Sequence, residues 1–330
     1  MGLTVGVDIG GTKVLAGVVD DQGHVLARVR KETPRRTTMP AIVEDTIADA
    51  VAELAQRYEV GALGVGAAGF VDASGSTVRF SPHLSWRDEP LRDALAKRVG
   101  LPVLIDNDAN TTAWAEMTYG AGKGAAHVLC ITMGTGIGGA IVIDGQVFRG
   151  ANGMAGEFGH MQVVPGGRRC ECGNRGCWEQ YASGRALVRE ARELVAAESP
   201  VAYRLRELTG GEPANLTGPI VTDAARSGDP AAIELFDEVG GWLGGGLAIL
   251  TAAFDPERIV VGGGVGEAGN LLLGPARAAL RRTLTGRGFR PEPDVVSAAL
   301  GPDAGFIGAA DLARVAFKTP ESRNMAHPAE

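Results

Sequence analysis

Three thiols and one imidazole crowd a short stretch of this chain. Cys170, Cys172 and Cys177 lie within eight residues, in a run bent by Gly173 and Gly176, and His160 stands ten residues upstream of the first. Three soft thiolates and a ring nitrogen make the Cys3His set of a closed, tetrahedral structural zinc site. A disulfide framework would spread an even cysteine set through a small secreted chain. Here the fourth cysteine, Cys130, sits alone in the apolar run 128–131 and reads as core, while His24, His83, His127 and His327 are far from the thiols in sequence. Four protein ligands leave no open position, so the expected role is to fix a loop, not to perform chemistry.

Two glycine turns carry a second kind of chemistry. Ile9-Gly10-Gly11-Thr12-Lys13 follows one apolar run, and residues 133–139, with Gly134, Thr135, Gly136, Gly138 and Gly139, follow another. Consecutive glycines present backbone N–H groups as a concave anion site; Thr12 and Lys13 add a hydroxyl and a positive charge, and Thr132 and Thr135 do similar work in the second turn. Neither turn opens onto a helix, which excludes the dinucleotide fingerprint of strand, turn and helix. A third glycine turn, Gly262-Gly263-Gly264, leads from a strand toward a helix. Asp106-Asn107-Asp108 stands where a strand hands over to a helix, the place where open sheets carry catalytic groups. A carboxylate there can accept a proton from a hydroxyl during phosphoryl transfer; the plainer alternative for Asp108 is a helix N-cap, which accounts for the residue type alone.

The elements that must hold these groups follow from periodicity. Residues 3–8 read as a buried strand, with 14–19 and 24–29 as two more, joined by a hairpin at 20–23. Ile42, Ile47, Val51 and Leu54 give 41–58 a helical spacing. Residues 60–67 read as a strand, 69–86 as a loop region, 89–99 as a helix, 102–105 as a strand and 109–119 as a helix. The opening pattern then returns: strand 127–132, glycine turn 133–139, strand 140–143 and a hairpin at Asp144-Gly145. The repeat lies about 125 residues along and points to duplicated domains. A cysteine-bearing loop segment (149–179) precedes mainly helical sequence over 184–254. A short strand (259–261), a helix (270–284), a last strand (294–298) and a closing helix (305–317) follow. The polar tail 318–330 is expected to fray.

Composition sets the outer limits. A chain of 330 residues can hold two domains, each with its own core. Apolar residues make up 45% and charged residues 22%, ordinary for a globular protein. Glycine is not ordinary: 49 residues, about twice the usual ~7%, neither periodic nor low-complexity. Clustering after apolar runs suits turns that approach a ligand closely, which favours a nucleotide or phosphate enzyme. The net charge of −7, with no basic stripe, argues against nucleic acid. No apolar stretch reaches the ~18 residues of a membrane span, and the first residues read as a strand without a basic leader. A cytoplasmic protein is expected.

Asp8-Ile9-Gly10-Gly11-Thr12-Lys13 resembles the first phosphate motif of the actin-like, hexokinase-type ATPases. Residues 133–139 resemble the second, and Val260-Val261-Gly262-Gly263-Gly264-Val265 resembles the adenosine motif. With the cysteine cluster, the order narrows the resemblance to the ROK family of sugar kinases and sugar-responsive repressors, nearest its bacterial, actinobacterial-type glucokinase branch. It covers residues 3 to about 317. The resemblance implies an α/β, two-domain actin-like ATPase (ribonuclease H-like, hexokinase-type) fold with an interdomain cleft. Residues 1–106 and a helix at about 304–317 would form the small domain, and 107–303, with the zinc loop 160–177, the large one. Nucleotide would bind between domains that close on a hinge. Asp8 would help hold Mg²⁺; Gly10, Gly11, Thr12, Lys13, Thr135 and Gly136 would meet the phosphates of ATP; Gly263 and Gly264 would meet the adenosine.

The same resemblance places Zn²⁺ on His160, Cys170, Cys172 and Cys177, makes Asp108 the base with Asp106 as second choice, and sets Asn107, Asp108, Glu157, His160 and Glu179 on the sugar. Carboxylates and amides suit paired hydroxyls, and His160 can give one ring nitrogen to zinc while the other donates to a hydroxyl. The implied activity is ATP-dependent phosphorylation of glucose at its 6-hydroxyl by a self-associating dimer or tetramer. Kinases of other hexoses or of N-acetylmannosamine share the motifs, and polyphosphate could serve as donor. Against a sugar-sensing regulator, the sequence leaves no room for a DNA-binding head before Asp8. Against a non-catalytic binding module, it keeps Asp108 with both phosphate turns. Within one helical stretch, Gly240, Gly241, Gly244, Gly245 and Gly246 each cost about 1 kcal/mol relative to alanine, which calls for close helix packing or backbone approach to the nucleotide.

Overall fold

The computed structural model describes residues 2–317; the tail expected to fray, 318–330, lies outside the described residues. The strands begin with β1 (Leu3–Ile9), β2 (Lys13–Val19), β3 (Val25–Glu32), β4 (Val60–Ala67), β5 (Phe70–Val71), β6 (Val78–Phe80), β7 (Arg87–Glu89) and β8 (Val103–Asn107). They continue with β9 (Val128–Met133), β10 (Ile137–Ile143), β11 (Gln146–Val147), β12 (Arg258–Gly262) and β13 (Asp294–Ser297). The helices are α1 (Pro40–Ala55), α2 (Leu91–Val99), α3 (Asp108–Tyr119), α4 (Glu179–Ala182), α5 (Gly184–Ala196), α6 (Tyr203–Thr209), α7 (Gly218–Arg226), α8 (Pro230–Phe254), α9 (Asn270–Thr283) and α10 (Ala304–Ala316). None of the described helices is long and apolar enough to cross a membrane.

Two five-stranded sheets share one topology. The first runs β3-β2-β1-β4-β8 and the second β11-β10-β9-β12-β13. In the first, β2 is antiparallel to β1 and β3, while β1, β4 and β8 are parallel. In the second, β10 and β11 form an antiparallel hairpin, and β9, β12 and β13 are parallel. The repeated strand and turn pattern of the sequence is thus a repeated sheet. The stretch 69–86 departs from its loop assignment: β5, β6 and β7 form a small antiparallel sheet. Strands of two or three residues leave no readable alternation. The turn between β5 and β6 is made by the Asp72 carboxylate, which accepts from the Ser76 and Thr77 amides at 2.9 and 3.2 Å.

Contacts divide the described chain into two compact units, one of residues 2–124, 140–155 and 302–317, the other of 125–139 and 156–301. The first therefore reaches past the sequence-expected boundary at 106/107 and takes in α3. The reason lies in α10, which packs onto the first sheet where β1 and β4 carry glycine. A Cβ on Gly6 would fall 1.7 Å from the Phe306 carbonyl oxygen, and one on Gly64 would fall 1.8 Å from that of Ala309. On its other side α10 meets α3, where a Cβ on Gly308 would fall 1.8 Å from the Thr111 carbonyl oxygen. The buried Asp311 carboxylate fastens the two helices, accepting from Trp114 Nε1 at 2.7 Å and Tyr119 Oη at 2.6 Å and pairing with Arg314. Burial and that carboxylate push the Tyr119 phenol up to about 12.

In the second unit, α8 explains its own glycines. Gly240 and Gly244 lie against α9, where a Cβ would strike Pro275 at 2.6 Å and the Ala276 carbonyl oxygen at 2.1 Å. At Gly246 it would enter the ring of Trp178 at 2.1 Å. Packing accounts for these three; Gly241 and Gly245 meet no atom within 4 Å. Trp178 is fully buried there, its indole N–H donating to the Trp242 carbonyl at 2.8 Å.

Candidate active site and metal centre

In the first unit, sheet register brings the sequence-predicted carboxylates to one edge. Asp8 pairs with Gly66 and Gly66 with Asp106; Ile9 pairs with Ala67 and Ala67 with Asn107. Three parallel strands thus end together, the usual place for a ligand site in an open sheet. Past Asp8 the chain turns back, the Gly10 amide donating to the Lys13 carbonyl at 3.1 Å, and Thr33 Oγ1 steadies the turn by donating to the Gly10 carbonyl at 2.8 Å. Gly11 and Thr12 are exposed, and no atom stands within 4 Å of a Cβ built on Gly10, so the turn presents bare backbone. Burial pushes the Asp8 carboxyl up to about 6 against the pull of Lys13. A carboxylate held this way gains from a cation.

At the end of β8, the helix cap is Asn107, not Asp108. Its Oδ1 accepts from the Ala109 and Asn110 amides at 2.8 and 3.2 Å, while its Nδ2 donates to the Gly69 carbonyl at 3.1 Å. One amide hydrogen of Asn107 is left for a ligand. Asp108 is therefore the first residue of α3, half-buried, with its Oδ1 accepting from the Ala109 amide at 3.0 Å. Asp106, the second-choice base, is buried against Arg149 at 2.6 Å.

The second unit sets the other two glycine turns side by side. Thr132 on β9 pairs with Gly262 on β12, and the Val265 amide donates to the Met133 carbonyl at 3.0 Å. Gly263 has φ +83°, and a Cβ there would lie 2.5 Å from the Met133 carbonyl oxygen, so only glycine fits. The Gly134 carbonyl accepts from the Gly184 amide at 2.9 Å, joining the second phosphate turn to the start of α5. A cavity of about 590 Å³ opens here, bordered by Gly134, Thr135, Arg185, Pro219, Gly264 and Val265. That volume suits a small-molecule ligand. Sequence reasoning found its glycines and Thr135 but missed Arg185 and Pro219, which come from α5 and α7 and carry no local signal.

The predicted metal ligands converge. Donor atoms of His160, Cys170, Cys172 and Cys177 all lie within 4.8 Å of one another. Cys170 Sγ is 3.6 Å from His160 Nδ1, and Cys172 Sγ is 3.6 Å from Cys177 Sγ. Cys170 and Cys177 are buried, Cys172 exposed. Burial pushes the Cys170 thiol up, and Glu179 adds to the push. Three thiols and one imidazole nitrogen in this arrangement fit zinc in kind and number.

Both sugar-predicted glutamates border this centre. Glu179 Oε1 lies 3.1 Å from Cys170 Sγ and 3.8 Å from His160 Nδ1, while Glu157 Oε2 lies 3.9 Å from His160 Nε2. The two ring nitrogens thus face different neighbours, Nδ1 the Cys170 thiol and the Glu179 carboxylate, Nε2 the Glu157 carboxylate. Burial raises the Glu157 carboxyl, His160 draws it down and Glu179 raises it again. Glu179 also reaches the second phosphate turn: a Cβ on Gly136 would fall 2.4 Å from its Oε2.

The family model described as "ROK family" matches residues 4–316. A glucokinase of Streptomyces coelicolor is 49% identical over 314 residues, covering 95% of this chain and 98% of that one. The crystal structure of a ROK family glucokinase from Streptomyces griseus, in complex with glucose and AMPPNP, aligns with TM-score 0.88 at 50% identity, over 95% of this chain and 100% of that one. The ROK hexokinase of Thermus thermophilus aligns with TM-score 0.77 at 35% identity, over 98% and 99% of the two chains.

Proposed function

The chain belongs to the ROK family, and from that premise we propose that it is a glucokinase of actin-like ATPase fold, transferring the γ-phosphoryl group of MgATP to the 6-hydroxyl of glucose. One observation carries the reading: half of all positions are identical, along nearly the whole chain, to a glucokinase solved with glucose and AMPPNP. The cavity at Thr135 and Gly264 supports it, because a nucleoside with its phosphates needs an anion-binding turn beside an apolar recess.

In this reading Asp108 accepts the proton of the sugar 6-hydroxyl as its oxygen bonds to the γ-phosphorus and the bond to the ADP oxygen breaks. The transition state is loose and highly charged, so positioning and electrostatics supply most of the rate. Backbone amides of Gly11 and Gly136, with Thr12, Lys13 and Thr135, receive the phosphates; Gly10, its own amide spent on the Lys13 carbonyl, lets them come close to the turn, while Gly263 and Gly264 admit the adenosine. Mg²⁺ would be held by Asp8 and, when bound, would offset charge on the phosphates. Zn²⁺ would be held by His160, Cys170, Cys172 and Cys177 and, when bound, would fix the loop that carries the sugar contacts. Glu157, Glu179, the remaining amide hydrogen of Asn107 and the Nε2 edge of His160 then grip sugar hydroxyls. The reading includes a cytoplasmic, self-associating protein, in keeping with thiols kept reduced for a metal.

A coupled assay of ADP release tests the proposal, run over a panel of hexoses and N-acetylhexosamines with ATP or polyphosphate as donor. Glucose with ATP should give the highest kcat/KM. Substantially faster turnover of another sugar would remove glucose from the reading, and no sugar-dependent ADP release would remove the kinase.

A further inference from the structure

We propose that Asp106 and Arg149 form a positioning pair that holds Asp108 in place for the transfer, an inference that rests on the kinase reading above. Asp106 is only 4% exposed, and its carboxylate is gripped on both oxygens. Oδ1 accepts from the Asn107 amide at 2.8 Å and from Asn110 Nδ2 at 2.9 Å; Oδ2 accepts from Arg149 Nε at 2.9 Å and Nη2 at 2.6 Å. A carboxylate has about four lone-pair sites, and four donors occupy them. Such a group has no oxygen lone pair left to meet a sugar hydroxyl. It is a good clamp, because it ties the last residue of β8, the first turn of α3 and a guanidinium to one point.

Asp108 lies inside that clamp. The amide before it, on Asn107, is held by Asp106; the amide after it, on Ala109, is held by Asn107 Oδ1 at 2.8 Å; its own carbonyl accepts from Thr111 Oγ1 at 2.9 Å. The backbone on both sides is thus fixed before any ligand arrives. Arg149 is itself braced: its Nη1 donates to the Val147 carbonyl at 3.2 Å, and its carbonyl accepts from the Ala155 amide at 3.1 Å. The same segment is seated on the end of β5, where a Cβ on Gly153 would lie 2.4 Å from the Val71 carbonyl oxygen. Removing the guanidinium would leave a buried carboxylate uncompensated, and the β8–α3 junction would relax around it.

The test compares the full-length wild type with Asp106→Asn, Arg149→Met, Arg149→Lys, Asp108→Ala and the Asp106→Asn/Asp108→Ala pair. It measures kcat, calorimetric Kd for glucose and for MgATP, and Tm. Because misplacing a reacting group by about 1 Å can cost 10²-fold, Asp106→Asn and Arg149→Met should each lower kcat about 10- to 100-fold. The Kd for MgATP should stay within about threefold, and that for glucose, which Asn107 on the same junction also touches, should rise less than kcat falls, since most of the lost interaction acts in the transition state. Arg149→Lys, keeping one of two bonds, should fall in between. The decisive reading is the double variant: with Asp108 gone, Asp106→Asn should change the residual rate hardly at all. Wild-type kcat in Asp106→Asn or Arg149→Met would overturn the proposal. So would a loss that multiplies undiminished onto Asp108→Ala, or one confined to Tm. If Asp106→Asn fails to fold, the half-exposed Arg149 variants carry the same test in the same Asp108→Ala background. A wild type without sugar-dependent ADP release would sink the kinase reading itself, an outcome separate from these.

Discussion

Replacing Gly136 with alanine puts a methyl group where the Glu179 carboxylate now stands. The built Cβ lies 2.4 Å from Glu179 Oε2, and ordinary contact begins near 3.4 Å, so the carboxylate must retreat by about 1 Å. Because the obstacle is the far end of a flexible side chain, folding should lose little, within ~0.5 kcal/mol. Gly136 is not among the glycines with positive φ, so alanine keeps the backbone and its N–H. The cost should fall on the sugar. A hydrogen bond to a charged group is worth about 1.5–3 kcal/mol, and about 1.4 kcal/mol is tenfold, so kcat/KM for glucose should drop about 10- to 100-fold. The assay is a glucose titration of ADP release at saturating MgATP, paired with an MgATP titration and thermal denaturation. Unchanged kcat/KM for glucose, or a loss lying wholly in KM for MgATP, would refute the reasoning.

Asp108→Ala should lower kcat by at least about 10²–10⁴, the worth of a positioned base, with MgATP affinity and Tm retained; near-normal turnover would move the base elsewhere. Protein purified from zinc-replete medium should carry about one zinc per chain, and stripping it should alter the fluorescence of Trp178, which adjoins Cys177. Metal-free protein with an unchanged spectrum and full activity would contradict the assigned site. Asp8 is held near 6 in the folded chain and near 3.8 unfolded, so the folded state binds its proton more tightly. Stability should then fall as pH rises across that window and stay lower above it. Without Mg²⁺ or nucleotide, Asp8→Asn should match the wild type at about pH 4 and exceed its Tm at about pH 7.5, although it loses MgATP turnover. A lower Tm for the variant at the higher pH would reverse that account.

Legibility followed sequence distance. The cluster of His160 and three cysteines was readable because three of the four lie within eight residues and soft donors admit few other uses. The glycine turns were readable because each follows an apolar strand. Other glycines were not: Gly6 and Gly64 admit a helix that lies about 240 to 300 residues away in sequence, and Gly308 on that helix admits α3. That contact also moved the boundary of the first unit, since the Trp114–Asp311 bond joins residues 197 apart. The burial of Asp106 against Arg149, 43 residues further on, was not legible either. Nothing in the local pattern shows which of two neighbouring aspartates a distant arginine will reach.

The seat of α10 has a consequence for synthesis. Leu3 to Ile9 leave the ribosome well before the helix that roofs them, residues 304–316. At ~5–20 residues per second, some 300 residues take about 15 to 60 s, and throughout that interval the glycine-lined face of β1 and β4 has no lid. The strands can pair while they wait, but their core closes only once that helix has emerged. A nascent chain stalled before residue 304 should therefore offer an apolar sheet to chaperones, and one in which the helix up to residue 316 has emerged should not.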